Sequence, residues 1–177
     1  MFVAGSQPTR GAVVLGVDPG LTRCGYAVVR ADAAPALVSL GVIKTPGTAE
    51  LPQRLARLQA ELGELFDRFA PSTVAVERVF LQHNTRTAMS VAQASGIVLA
   101  MAAARGCEVA QYTPSQVKNA VAGDGAADKQ AMQRMVQLRF GLRQRPTPAD
   151  AADAAALAVC HIAMAPFSRS VAGAMRG

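Results

Sequence analysis

Long apolar runs are missing from this chain: nothing approaches the ~18–20 consecutive residues that span a bilayer as a helix. The N-terminus also lacks the charged-then-apolar pattern of a secretory signal, so a cytoplasmic protein with no membrane partner is expected. Cysteine is scarce and odd in number, with Cys24, Cys107 and Cys160 each in apolar surroundings. They show no metal-type spacing and read as small buried hydrophobes in a reducing compartment. Lysine is scarcer than the basic charge implies, with Lys44, Lys118 and Lys129 the only three. Acids number only twelve, so the position of each is informative.

What is present describes a well-packed globular protein, with 51% hydrophobic and 17% charged residues. A length of 177 residues fits one domain with a sizeable core. The formal net charge of +6 and a pI near 9.9 favour a polyanionic partner, nucleic acid first. Residues 1–10 read as a flexible leader, 11–166 as the domain, and 167–177 as a loose tail.

The stretch Val13-Val14-Leu15-Gly16-Val17 suits a strand buried on both faces. It ends in Asp18, and Pro19 and Gly20 turn the chain behind it, presenting the carboxylate on rigid backbone. Segments 23–29 and 36–44 follow as strands on short connections, which implies an antiparallel meander. Leu51, Leu55, Leu58, Leu62, Leu65 and Phe69 then mark an amphipathic helix, stopped by Pro71. Residues 73–77 form a fourth strand, made parallel to a neighbour by the right-handed crossover.

A helix over 84–105 carries Ala88, Ala92, Gly96, Ala100 and Ala104 at a spacing of four. Gly96 costs that helix ~1 kcal/mol relative to alanine, which close approach to the sheet or to a second subunit would offset. After a fifth strand at 108–112, Thr113-Pro114 and Thr147-Pro148 both read as threonine-capped helix starts, with another helix over 128–140. The last helix is expected to end near Ala165. Together these elements predict an α/β layer around a five-stranded mixed sheet.

Asp18 and Glu77 end the first and fourth strands, and they face one end of the sheet if those strands are neighbours. Asp150 and Asp153 lie three apart on the final helix, hence on one face. Four converging carboxylates would bind a hard cation such as Mg²⁺ or Mn²⁺. Each also has a plain reading: a turn at Asp-Pro-Gly, a charged strand end at Glu77, a helix-start acid at Asp150, a solvated position at Asp153. The spacing Asp18-x-Gly20-x-Thr22 further matches the phosphate-binding hairpin of actin-like ATPases.

The segments Leu15-Gly-Val-Asp18-Pro-Gly20, Val76-Glu77-Arg-Val-Phe80, Gln116-Val-Lys118 and Asp150-Ala-Ala-Asp153, in this order, resemble the RuvC family of Holliday junction resolvases. The resemblance covers about Val13 to Ala165 and implies an RNase H-like (retroviral-integrase superfamily) fold. It implies a homodimeric endodeoxyribonuclease that makes symmetric paired nicks in four-way junction DNA during recombination and repair. Two Mg²⁺ per site would serve it, with Mn²⁺ as a substitute, and a branch-migration motor complex is an implied partner. The catalytic acids would be Asp18, Glu77, Asp150 and Asp153, with Asp18 bridging the metals and Asp153 in direct or outer contact. Lys118 and Lys129 fall on the family's functional lysines, Lys129 also as a catalytic group. Phe80 matches an aromatic that stacks on bases, while Arg86, with His83 and Asn84, lies in the same loop. Arg78 departs from the glutamine of many relatives and offers a phosphate contact; Arg139, Arg143 and Arg145 could track a DNA arm or keep the surface soluble. Two other classes compete, a junction-binding protein without catalysis and an actin-like ATPase or sugar kinase. The first is disfavoured by the four acids, the second by a length that supplies one domain where two are needed.

Overall fold

The computed structural model describes residues 11–79 and 85–174, with the backbone alone at 85–87 and 166–174. The opening apolar run is strand β1 (Ala12–Asp18), followed by β2 (Arg23–Ala31) and β3 (Ala36–Lys44). Both consecutive pairs are antiparallel, the expected meander. Helix α1 (Leu51–Phe69) leads to β4 (Thr73–Glu77), and α2 (Thr85–Ala104) leads to β5 (Glu108–Tyr112). Helices α3 (Pro114–Ala122), α4 (Lys129–Arg139) and α5 (Ala149–Ala174) complete the chain. The strand order β3-β2-β1-β4-β5, with β4 parallel to β1 and β5 parallel to β4, is the mixed sheet of an RNase H-like fold.

Alternation along the strands divides the core in two. Leu15, Val17, Val28, Val74 and Val76 meet Leu58, Leu62 and Phe66 of α1 and Ala94 and Val98 of α2 on one face. Val14, Ala27, Val29 and Ala75 meet α3, α4 and α5 on the other. Helix α5 approaches the sheet closely because both sides of the contact are small. A Cβ built on Gly16 would fall on the Ala154 carbonyl, and one on Gly25 would fall on the Asp150 carbonyl. The facing residues Ala151, Ala154, Ala155 and Ala158 have no exposed surface.

Two sequence expectations change, and one of the two readings of the α2 stripe falls away. Gly96 does not pack on the sheet: α2 turns Ala94, Val98 and Ala102 inward, and a Cβ on Gly96 meets nothing within 4 Å. Helix α5 continues past Ala165 to Ala174, through what reads in sequence as a tail. Thr147 is not its cap, because Pro148 directly precedes the helix and its carbonyl accepts from Ala151 N at 3.1 Å. The start of α3 is as expected: Thr113 Oγ1 accepts from Gln116 N at 3.2 Å, and Gln116 Oε1 accepts from Thr113 N at 2.9 Å. Cys24 and Cys160 are buried, Cys107 is half-buried, and all three are free thiols.

The α5 contact yields a direct test. Gly25→Ala places a methyl against helix backbone that cannot give way as a side chain would, and it should destabilise by roughly 1–3 kcal/mol. Urea denaturation of the variant measures this as a lowered midpoint with an unchanged slope.

Candidate active site

Asp18 and Glu77 end two parallel neighbours, β1 and β4, so both carboxylates stand at the same sheet edge. The strand period turns both towards α5, since Gly16 lies against α5 and Ala75 lies in the α5-side core. Asp153 comes from the second turn of α5, Lys118 from α3, and Lys129 from the first position of α4. Asp18, Glu77, Asp153, Lys118 and Lys129 share one cleft of about 350 Å³. An adjoining cleft of about 480 Å³ shares Asp18 and Glu77 and adds Arg78, Val91 and Thr113.

Electrostatics mark the cluster as under-neutralised. Burial, then the charges of Glu77, Asp153 and Asp150, push the Asp18 carboxyl up from 3.8 to about 7, with Lys129 pulling the other way. Glu77 is raised by burial and then by Asp153, and Asp153 by burial and then by Asp150. Lys129 opposes both shifts, so its ammonium acts across the cleft on three carboxylates at once.

Asp150 behaves differently. Its Oδ2 accepts from Arg23 Nε at 2.7 Å, which holds the carboxylate at the β2 edge, and it does not line the cleft that Asp153 enters. This ion pair joins residues 127 apart in sequence and draws Asp150 towards Arg23, while the charge of Asp150 still acts on Asp18 and Asp153. Arg23 carries no local signal and goes unnoticed in the sequence. So does Arg54 of α1, whose Nη2 donates to Thr22 Oγ1 at 2.7 Å and whose Nε donates to Thr45 Oγ1 at 2.9 Å. Buried Thr45 in turn donates to the Leu21 carbonyl, so the turn behind Asp18 is strapped to α1 and to the end of β3. On the opposite flank, Tyr112 Oη and His161 Nδ1 lie 2.8 Å apart and tie the end of β5, beside Glu77, to α5.

Arg78 is exposed, and its backbone N–H donates to the Tyr112 carbonyl at 2.8 Å. Arg139 lines a separate cleft with Leu138 and Val159. Phe80, His83, Asn84 and the Arg86 side chain lie outside the described residues.

The donor set, oxygen-only and anionic, fits a hard divalent cation. The carboxylates are near enough to raise one another's protonation, yet among the described residues no three His, Cys, Asp or Glu side chains stand as a ligand cluster. The raised carboxyls also set a pH dependence. Between the ordinary value of 3.8 and about 7 the folded chain holds a proton on Asp18 that the unfolded chain has lost. Stability of the metal-free protein should therefore fall as pH rises through that interval and level off above it. Urea midpoints in EDTA from pH 5 to 8 measure this decline, which should be much reduced in Asp18→Asn.

The model of the family described as crossover junction endodeoxyribonuclease RuvC matches residues 14–161. A RuvC from Leifsonia xyli subsp. xyli is 53% identical over 150 residues, covering 84% of this chain and 72% of that one. A RuvC from Corynebacterium efficiens is 50% identical over 159 residues, covering 89% and 71%. The structure of Thermus thermophilus RuvC in complex with a Holliday junction substrate superposes with a TM-score of 0.84 at 38% identity, covering 89% of this chain and 96% of that one. With its carboxylate-lined sheet edge and matches of this extent, the chain belongs to the RuvC family of crossover junction endodeoxyribonucleases.

Proposed function

We propose that this chain resolves four-way DNA junctions by metal-dependent hydrolysis, nicking two opposed strands symmetrically as a homodimer. The observation that carries this reading is the single cleft in which Asp18, Glu77 and Asp153 face Lys118 and Lys129, in a chain of this family. RuvC enzymes are metal-dependent nucleases, and Asp18, Glu77, Asp153 and Asp150 are the residues that would hold the ions here. Two Mg²⁺ per site, or Mn²⁺ in their place, would supply activation of the attacking water and charge stabilisation of the leaving 3′ oxygen.

The chain's own residues have distinct tasks. Buried Pro19 and the Arg54 strap on the turn that follows hold the backbone that presents the Asp18 carboxylate. Glu77 and Asp153 flank it from a neighbouring strand and a helix. Lys129, whose charge already reaches all three carboxylates, meets the negative charge that grows at phosphorus during displacement. Lys118 adds a second compact cation in the same cleft for a phosphate oxygen. Arg78 offers a backbone contact from the adjoining cleft, while Phe80 and Arg86 are retained as DNA contacts on the family pattern alone. Recombination and repair are the processes such an activity serves, and a branch-migration motor is the partner assembly proposed for it.

Helix α2 supports the dimer. Its outer face exposes Ala92, Gly96, Ala100 and Ala104, and Met89 beside them is 66% exposed. Small residues let two backbones approach closely, and a second copy of the chain laid on this face would pair two active sites, as two opposed nicks require. Val91, on the inward side of the same helix, lines the cleft at Asp18, so α2 borders the site as well as carrying this outer face.

Asp18→Asn should abolish Mg²⁺-dependent nicking of a synthetic four-way junction while junction binding persists, because it removes ligand charge and leaves the basic surface intact. Gel assays of nicking and binding on the same substrate check both halves; retained turnover contradicts the central role of Asp18. Gly96→Glu should leave a folded monomer, read by light scattering on a sizing column, and convert paired cuts to isolated nicks. A dimer of wild-type strength in that variant would remove α2 as the contact.

A further inference from the structure

A further cleft, of about 460 Å³, opens beside the turn that follows Asp18, lined by Thr22, Arg23, Lys44, Thr45, Pro46 and Arg57. Three of the six are cations, none is an acid, and none is aromatic. Apart from the hold of Arg23 on Asp150 and the two threonine hydroxyls that Arg54 binds, the catalytic reading uses none of them. Lys44 is exposed, and among the described residues no carboxylate lies within ion-pair reach of it. Among the described residues Arg57 is paired with Glu61 alone, four residues on, through an exposed contact that is worth little in water.

Arg23 and Lys44 are cross-strand partners in the β2–β3 ladder. Directly opposed side chains share a face, and two like charges so placed repel. Asp150 already meets Arg23 on one side, and an anion seated beside Lys44 would offset what remains of that repulsion. The wall behind them is already ordered, since Arg54 fixes both threonine hydroxyls and Thr45 N donates to the Thr22 carbonyl at 3.2 Å. The cleft also abuts the nuclease site, because Arg23 lines it and reaches Asp150 at the same time.

Building on the junction-resolving reading, we propose that this cleft is a second phosphodiester subsite, gripping a backbone phosphate of the strand that continues away from the scissile position. Cations and hydroxyls without an aromatic platform suit phosphate oxygens rather than bases. Lys44 is therefore a sequence-neutral contact: Lys118 and Lys129 line the cleft at Asp18, and Lys44 lines the cleft beside the turn that follows it.

The test compares wild type with Lys44→Ala/Arg57→Ala, both exposed positions, by fluorescence anisotropy on labelled four-way junctions in EDTA across a salt series. The double variant should bind roughly tenfold more weakly at ~0.1 M salt, with a salt slope reduced by about one to two. Junctions of unrelated sequence should weaken alike. Replacing phosphates near the cut one at a time by neutral methylphosphonates should reveal a position that weakens wild type and leaves the double variant unaffected. Unchanged affinity and slope in a double variant that melts like wild type, while wild type binds and nicks the same junctions, overturns the subsite and leaves the resolvase reading standing. General weakening with no such compensated phosphate also overturns it, because the cations then act only through the overall field. A wild-type protein that neither binds nor nicks the junction defeats the resolvase reading, and the subsite with it.

Discussion

Close packing of the α5 backbone on two glycines of the sheet is the contact on which the rest of this structure depends. Gly16 and Gly25 leave room for the carbonyls of Ala154 and Asp150, so the helix sits directly on β1 and β2. Its alanines supply no bulk that would lift it away. Asp153 therefore projects over the strand ends, where Asp18 and Glu77 already stand. The other side of α5 carries α3 and α4 through Val117, Val121, Met132 and Val136, so the mounts of Lys118 and Lys129 refer to the same helix. One backbone contact thus registers acids from three elements against lysines from two more.

The assembled site works against the stability of the fold. Asp18 is buried among like charges, and its carboxyl is pushed up to about 7 as the consequence. Lys129 opposes that shift from across the cleft without closing an ion pair among the described residues, and Arg23 takes Asp150. A full set of ion pairs would relieve the strain and neutralise the charge that a divalent cation needs. The chain instead leaves the central carboxylate short of positive charge and anchors its turn by hydroxyl and guanidinium bonds outside the cluster. Three raised carboxyls gathered in one cleft are the pattern of a functional site.

How much of this could be read in advance follows the range of each interaction. The apolar run before Asp18, the five strands and the capping box at Thr113 depend on near neighbours, and each stands where the sequence places it. Family motifs supplied the three acids and two lysines that meet in the cleft. The Arg23–Asp150 pair, the Arg54 strap and the glycine contacts join distant segments, and nothing local to an arginine or a strand glycine announces its partner. Thr22 shows the hazard of a short pattern: in Asp18-x-Gly20-x-Thr22 it resembles a nucleotide hairpin, but here its hydroxyl accepts from Arg54. The α2 stripe shows another. Spacing reveals that small residues share a face, whereas only the fold decides that Ala94 and Val98 take the sheet and Gly96 looks outward.

A four-way junction and a linear duplex carry the same phosphates, and what differs is their arrangement. Selecting the junction by its backbone therefore requires cations at fixed separations, because a mobile cation accepts either geometry. In this chain the candidate cations stand on stiff mounts: Lys118 on a helix closed at both ends by its caps, Lys129 immediately after the Asp128 cap, Lys44 at the end of a paired strand. The strap from Arg54 links the last of these mounts to the turn that holds Asp18, so a phosphate seated there and the scissile phosphate would share one rigid frame. Shape is then read by where the charges are held, with the base sequence left to other contacts.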